Sequence, residues 1–186
     1  MRGIIPKHLQ ARFNALDKLQ ARKNLPAPWQ EPVFFAIGGL TCAGFAENSD
    51  LLLTVSHDGR GVLDCHEGSM IARDDSNEFN FDFGNLKVEG IGPLAGQKVH
   101  MSGLYGGGLA CQTTDGWSIE RHPLSWPDDE LFLSPPGQTL LGSHADQPVD
   151  VSKLANFSSE IRAFGFSPTG RSLIIATAAD ISLFRR

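Results

Sequence analysis

Gly44-Phe45-Ala46-Glu47-Asn48-Ser49-Asp50-Leu51-Leu52-Leu53-Thr54-Val55-Ser56-His57-Asp58-Gly59-Arg60-Gly61-Val62-Leu63-Asp64 is the stretch that decides the fold. A strand ends in Gly-hydrophobe, a polar turn follows, an apolar strand comes next, an Asp-Gly turn reverses it, and another strand closes the segment. The order returns in Gly165-Phe166-Ser167-Pro168-Thr169-Gly170-Arg171-Ser172-Leu173, which runs on through Thr177, Asp180, Leu183 and Phe184. A looser copy spans Gly103-Leu104-Tyr105 to Asp115-Gly116-Trp117-Ser118-Ile119, so the copies lie about sixty residues apart. Repetition at a fixed period speaks for repeated supersecondary units.

Working outward, Val33-Phe34-Phe35-Ala36-Ile37 precedes the first copy and Met70 to Ala72 follows it, so residues 33–73 read as an antiparallel meander. Residues 74–85 read as an acidic loop in which Phe79, Phe81 and Phe83 share one face. A second β unit occupies residues 86–133, an irregular loop rich in Pro, Gly, Ser and Asp occupies 134–158, and a third β unit occupies 159–186. Arg185-Arg186 reads as a charged guard on an edge strand. At the other end, Ile5, Leu9, Phe13, Leu16 and Leu19 recur at helical spacing, so residues 5–24 read as one amphipathic helix stopped by Pro26 and Pro28. The expected fold is mostly β: one domain over 1–186, with three antiparallel β-meander, propeller-blade-like units and one N-terminal amphipathic α-helix.

The 186 residues are 41% hydrophobic and 20% charged, an ordinary globular balance. Net charge is −5, yet residues 1–30 hold six basic side chains against Asp17 alone, which leaves −10 for the rest. An acidic body excludes a broad nucleic-acid surface, because phosphate neutralisation needs clustered cations. Cys42, Cys65 and Cys111 form no disulfide framework, and no apolar run spans a bilayer. A cytoplasmic protein is expected, with neither nucleic acid nor membrane as partner.

The quoted residues carry a resemblance. Gly165-Phe166-Ser167-Pro168-Thr169-Gly170-Arg171-Ser172-Leu173 is similar to the strand–turn–strand segment of WD40-type propeller blades, and Asp58 to Asp64 with Gly68 to Ile71 looks like the later strands of a blade. No Gly-His or Trp-Asp dipeptide is present, and the period exceeds the ~40–45 residues of that family. The order Ser56–Asp74, Pro93–Gly96, Gly106–Trp117 and Arg162–Leu173 also resembles a family of short bacterial proteins of unassigned function, which implies no activity. Closed propellers need about four to eight blades, so three units imply an open array, a ring completed by a second chain, or a twisted sheet packed on the helix.

Chemistry-bearing residues are sparse. His57, Asp58, Asp64 and His66 are the densest group, but Cys65 and His66 are adjacent and point to opposite faces of a strand, and turn preference accounts for His57-Asp58-Gly59. Gly106-Gly107-Gly108 leads into a strand, as a hairpin turn does, rather than into a helix, as a phosphate loop does. No nucleophile elbow occurs, Cys111 reads as an apolar filler, and the acidic loop lacks the pattern of a calcium hand. No catalytic residue, cofactor or metal is expected. Trp126 with Asp128, Asp129 and Glu130, together with Trp117 and Tyr105, form the expected partner-binding set, because aromatics beside acids at loop rims suit protein interfaces. The leading expectation is a non-enzymatic protein-binding module, in the form of a bacterial immunity-type protein that binds and blocks a partner toxin. The alternatives are an enzyme or small-ligand or metal binder built on His57, Asp58, Asp64 and His66, and a structural module that completes a propeller with a second copy of itself.

Overall fold

The structure, a computed structural model, describes residues 7, 10–76, 78–125, 128–140, 150–154, 157 and 159–186. The fold is mostly β, with one α-helix and several antiparallel sheets, and no closed barrel among the described residues. No described helix is long and apolar enough to cross a membrane. Two compact units divide the chain: Met1–Pro26 with Cys111–Asn156, and Ala27–Ala110 with Phe157–Arg186.

The larger unit is a stack of three sheets. Strands β2 (Leu40–Phe45), β3 (Leu51–Ser56), β4 (Gly59–Asp64) and β5 (Ser69–Asp74) form the meander read from the opening stretch, and β9 (Ser102–Gly103) pairs onto β2. On one side lies the sheet of β1 (Val33–Ala36), β15 (Asp180–Arg185), β14 (Ser172–Thr177) and β13 (Ile161–Phe166), in that order. On the other lie β6 (Phe81–Asp82), β7 (Lys87–Glu89) and β8 (Lys98–His100).

Two cores separate the three layers. Leu40, Ala43, Leu52, Leu63 and Cys65 meet Ala163, Ile174, Ala176, Ile181 and Leu183 in the first. Cys42, Leu53, Val55 and Val62 meet Val88, Leu94, Val99 and Met101 in the second. Side chains alternate along a strand, so a sheet buried on both faces needs apolar residues in succession. That is why Leu51-Leu52-Leu53 lacks the polar alternation of a half-exposed strand. The outer face of the β6–β8 sheet is different: Lys87, Glu89, Lys98 and His100 are all exposed.

Strand β1 departs from the expected first unit. Its Val33, Phe34, Phe35 and Ala36 pair with Leu183, Ser182, Ile181 and Asp180 of β15 instead of continuing into β2. Gly39, at φ 69°, occupies the left-handed region that a side chain disfavours and turns the chain between the two sheets. Arg185 therefore lies on a strand flanked by β1 and β14, not on an edge, and its guanidinium donates to the carbonyls of His66 (3.1 Å) and Glu67 (3.0 Å).

The smaller unit holds α1 (Gln10–Asp17) and the sheet of β10 (Ser118–Ser125), β11 (Asp128–Ser134) and β12 (Ser152–Lys153). Strands within residues 86–133 are thus shared among three sheets, and β12 interrupts the expected irregular loop. The helix ends earlier than the periodicity predicts, Leu19 N–H closing onto Leu16 O and Arg22 entering a bridge with Leu154, while residues 5, 6, 8 and 9 of the expected helix lie outside the described residues. Leu16 packs with Phe132, Leu140 and Val151. Arg12, 3% exposed, shares this buried side and donates to the carbonyls of Leu140 (2.7 Å) and Thr139 (2.8 Å). The basic N-terminal segment so uses one of its cations, the single one within α1, as an internal staple.

Candidate functional site

An exposed aromatic cluster of the larger unit is built by a turn and a strand. Gly103-Leu104-Tyr105-Gly106 closes on itself, Gly103 N–H donating to Gly106 O (2.9 Å) and Gly106 N–H to Gly103 O (3.0 Å). Leu104 N–H donates to Thr41 O at 2.8 Å, which fastens the turn to β2. A side chain at Gly103 would run into that same Thr41 carbonyl, so glycine is required by close approach. Of the triple glycine only Gly106 closes this turn, and the strand expected to follow it is absent: Ala110 and Gln112 form only isolated bridges, with Phe166 and Ser118.

Tight turns are ordinarily polar, yet this one presents Leu104 at 50% and Tyr105 at 49% exposure. Tyr105 meets two rings of the Phe-rich segment: Phe81 at 5.3 Å between centroids and 68°, Phe83 at 5.1 Å and 89°. Phe81 and Phe83 lie 4.5 Å apart, and Phe83 is 62% exposed. Edge-to-face spacing of about 5 Å is mutual ring contact, so the cluster is a surface patch and leaves no cage between the rings. Phe79, which shares their face in the sequence, lies instead beneath the Arg60 guanidinium at 5.1 Å.

The other expected contact residues fare differently. Trp117 is 5% exposed, its N–H donating to Thr113 Oγ1 (2.9 Å) within the Asp115-Gly116 turn. It fills a core instead of facing a partner. Glu130 is 8% exposed and accepts from Lys153 Nζ at 2.6 Å, because neighbouring strands place the two on one face of the sheet. Asp128 and Asp129 belong to β11 by their backbone, with their side chains outside the described residues; Trp126 lies outside them entirely. Sequence reasoning named Tyr105 but not Phe83 or Leu104. The signal was present in the alternation Phe79-Phe81-Phe83.

His57 and Asp58 sit in the β3–β4 turn, Asp64 and His66 at the β4–β5 turn. The six residues of β4, rising about 3.3 Å each, hold these turns roughly 20 Å apart, so the four do not converge. Asp64 is occupied locally, accepting from the N–H groups of His66 (2.9 Å) and Glu67 (3.0 Å). Among the described residues no group of three His, Cys, Asp or Glu side chains is placed to hold a metal ion. A depression beside Thr54, Ser56, Asp58 and Met70 encloses about 20 Å³, room for one water. In the acidic loop, Arg60 pairs with Asp74 and Arg73 with Asp75. The Arg60 hydrogen bond, with the Ser76 N–H, holds the Asp74 carboxyl below its ordinary value.

Thiol chemistry is suppressed as well. Burial pushes Cys42 up to about 11, and burial with the Asp50 and Asp64 charges pushes Cys65 further up. Cys111 is exposed, and partial burial with the Glu120 charge raises it too, the opposite of an activated nucleophile. No family model, no curated protein and no solved structure matches this chain.

Proposed function

We propose that this chain is a non-catalytic protein-binding module whose contact surface centres on Phe83, Leu104 and Tyr105. The carrying observation is a turn that spends two exposed positions on Leu104 and Tyr105 and stacks the tyrosine on Phe81 and Phe83. Contiguous exposed apolar surface marks interaction sites, and aromatic anchors carry much of the energy at protein interfaces. Blockade of a toxin, in the manner of an immunity protein, is the specific form of this reading.

The three stacked sheets support likeness to propeller blades as an architecture. Ring completion by a second copy is less well supported, because the end sheet turns Lys87, Glu89, Lys98 and His100 outward where a further blade would need an apolar face.

The test is a photo-crosslinking amino acid placed at Tyr105 in cells that express the chain, with the same group at Lys98 as control. The expected result is a discrete protein adduct at Tyr105 that Phe83→Ser abolishes. No adduct, or the same adducts from Lys98, overturns the reading.

A further inference from the structure

We infer that residues 10–36 are an exchangeable arm, through which two copies of this chain pair by swapping the segment that precedes β2. The occupant is fixed by the fold itself: what seats the arm in one copy seats the same arm of another. This exchange is independent of the surface at Phe83, Leu104 and Tyr105, and it adds no further blade. Its first ground is where the arm is held. Arg12 donates to the carbonyls of Leu140 and Thr139, 128 and 127 residues further on. Leu16 packs on Phe132, Leu140 and Val151. Arg22 N–H donates to Lys153 O at 2.9 Å, and Gln30 N–H to Arg185 O at 2.7 Å. Trp29 stacks on Phe166 with 5.8 Å between ring centroids, and Val33 to Ala36 pair with β15.

The second ground is the joint. A segment fastened so far along the chain runs into β2 through Ile37, Gly38 and Gly39. A Cβ at Gly38 would have nothing within 4 Å, and Gly39 sits at φ 69°. Two successive glycines reorient the backbone at little steric cost, and short connections of this kind are where exchange begins. Strand β1 is bonded on one side alone, at the end of the order β1, β15, β14, β13. Its Phe34 is 66% exposed, so Val33 and Phe35 are the side chains it sets against the first core.

In the exchanged pair the same residues meet the same residues, so the contacts of the two forms cancel. The balance is left to the joint and to protein concentration. Two extended residues span about 7 Å, so the opened joint holds the two bodies close together. A shorter joint favours the pair, because the arm then cannot fold back onto its own chain.

Phe34 and Ser182 stand opposite each other in the β1–β15 ladder, so a disulfide placed there reports whose arm is seated. The full chain with Phe34→Cys and Ser182→Cys, and with Cys111→Ser to remove the exposed thiol, is refolded at about 1 mM, oxidised and separated by size. A dimer fraction is expected whose chains remain linked at twice the chain mass after denaturation, while the monomer fraction carries the bridge internally. In the otherwise unaltered chain, deletion of Gly38 is expected to raise the dimer fraction at least about five-fold, and insertion of three glycines after it to lower the fraction as much. A dimer whose chains are not linked overturns the inference. So does an unaltered chain that stays monomeric after refolding at that concentration.

Discussion

Asp50 shows how much of this fold hangs on single polar residues. Its carboxylate, in the β2–β3 turn, accepts from Thr169 Oγ1 (2.7 Å) and Ser172 Oγ (2.9 Å), tying that turn to the one between β13 and β14. Ser172 is 1% exposed, so Asp50→Ala leaves a buried hydroxyl without its acceptor and is expected to cost about 1–3 kcal/mol, measurable by urea denaturation. A loss within error would show that water replaces the carboxylate at no cost.

The thiols give a second residue-scale test. Cys111 is expected to react first with a thiol reagent in the native protein, and Cys42 and Cys65 only on unfolding, as counted by mass. Native labelling of Cys65 at the rate of Cys111 would contradict the packing. A thiol raised in the folded state stays protonated while the unfolded chain ionises above its ordinary 9.0. This contribution is therefore intact below pH 9 and is lost as pH climbs through about 11 for Cys42. Melting temperature should fall between about pH 9 and pH 11, less steeply in Cys42→Ala.

At the scale of elements, β3 separates a doubly buried strand from a half-exposed one. Leu52 belongs to the first core and Leu53 to the second, both 0% exposed. Leu52→Ala and Leu53→Ala are each expected to cost about 2–5 kcal/mol, and Lys98→Ala less than about 0.5 kcal/mol. One leucine costing little would mean that one face of the sheet is open. Strands β2 to β5 and β13 to β15 were legible because each is joined to the next by a short turn, bearing Gly, Asp or Ser or, between β14 and β15, flanked by Thr177 and Asp180, and local chemistry specifies such hairpins. Strand β1 was not legible as a partner of β15: nothing local distinguishes an apolar run that turns into β2 from one that joins a strand far along the chain. The helix was overextended because Leu19 continues the apolar spacing, while a bridge at Arg22 competes for the backbone.

At the scale of the molecule, the patch can be separated from stability. Phe83→Ser and Leu104→Ser remove exposed side chains and are expected to change unfolding free energy by less than about 0.5 kcal/mol while weakening partner capture. Unfolding of either variant at ordinary temperature would place these residues in the core and remove the basis for a contact surface.

Composition, turn residues and apolar runs determined by themselves that this chain is mostly β, that its opening stretch is a meander, and that ordinary catalytic or metal motifs are absent. Those properties are local: a turn or a run of leucines acts within a few residues. Tertiary structure alone decided that β1 closes the far sheet, that Arg12, Trp117 and Glu130 are internal, and that Tyr105 meets Phe81 and Phe83 at the surface. Burial and ring contact are set by residues distant in sequence, and the same tryptophan or glutamate reads alike in a core and on a rim until the strands around it are placed.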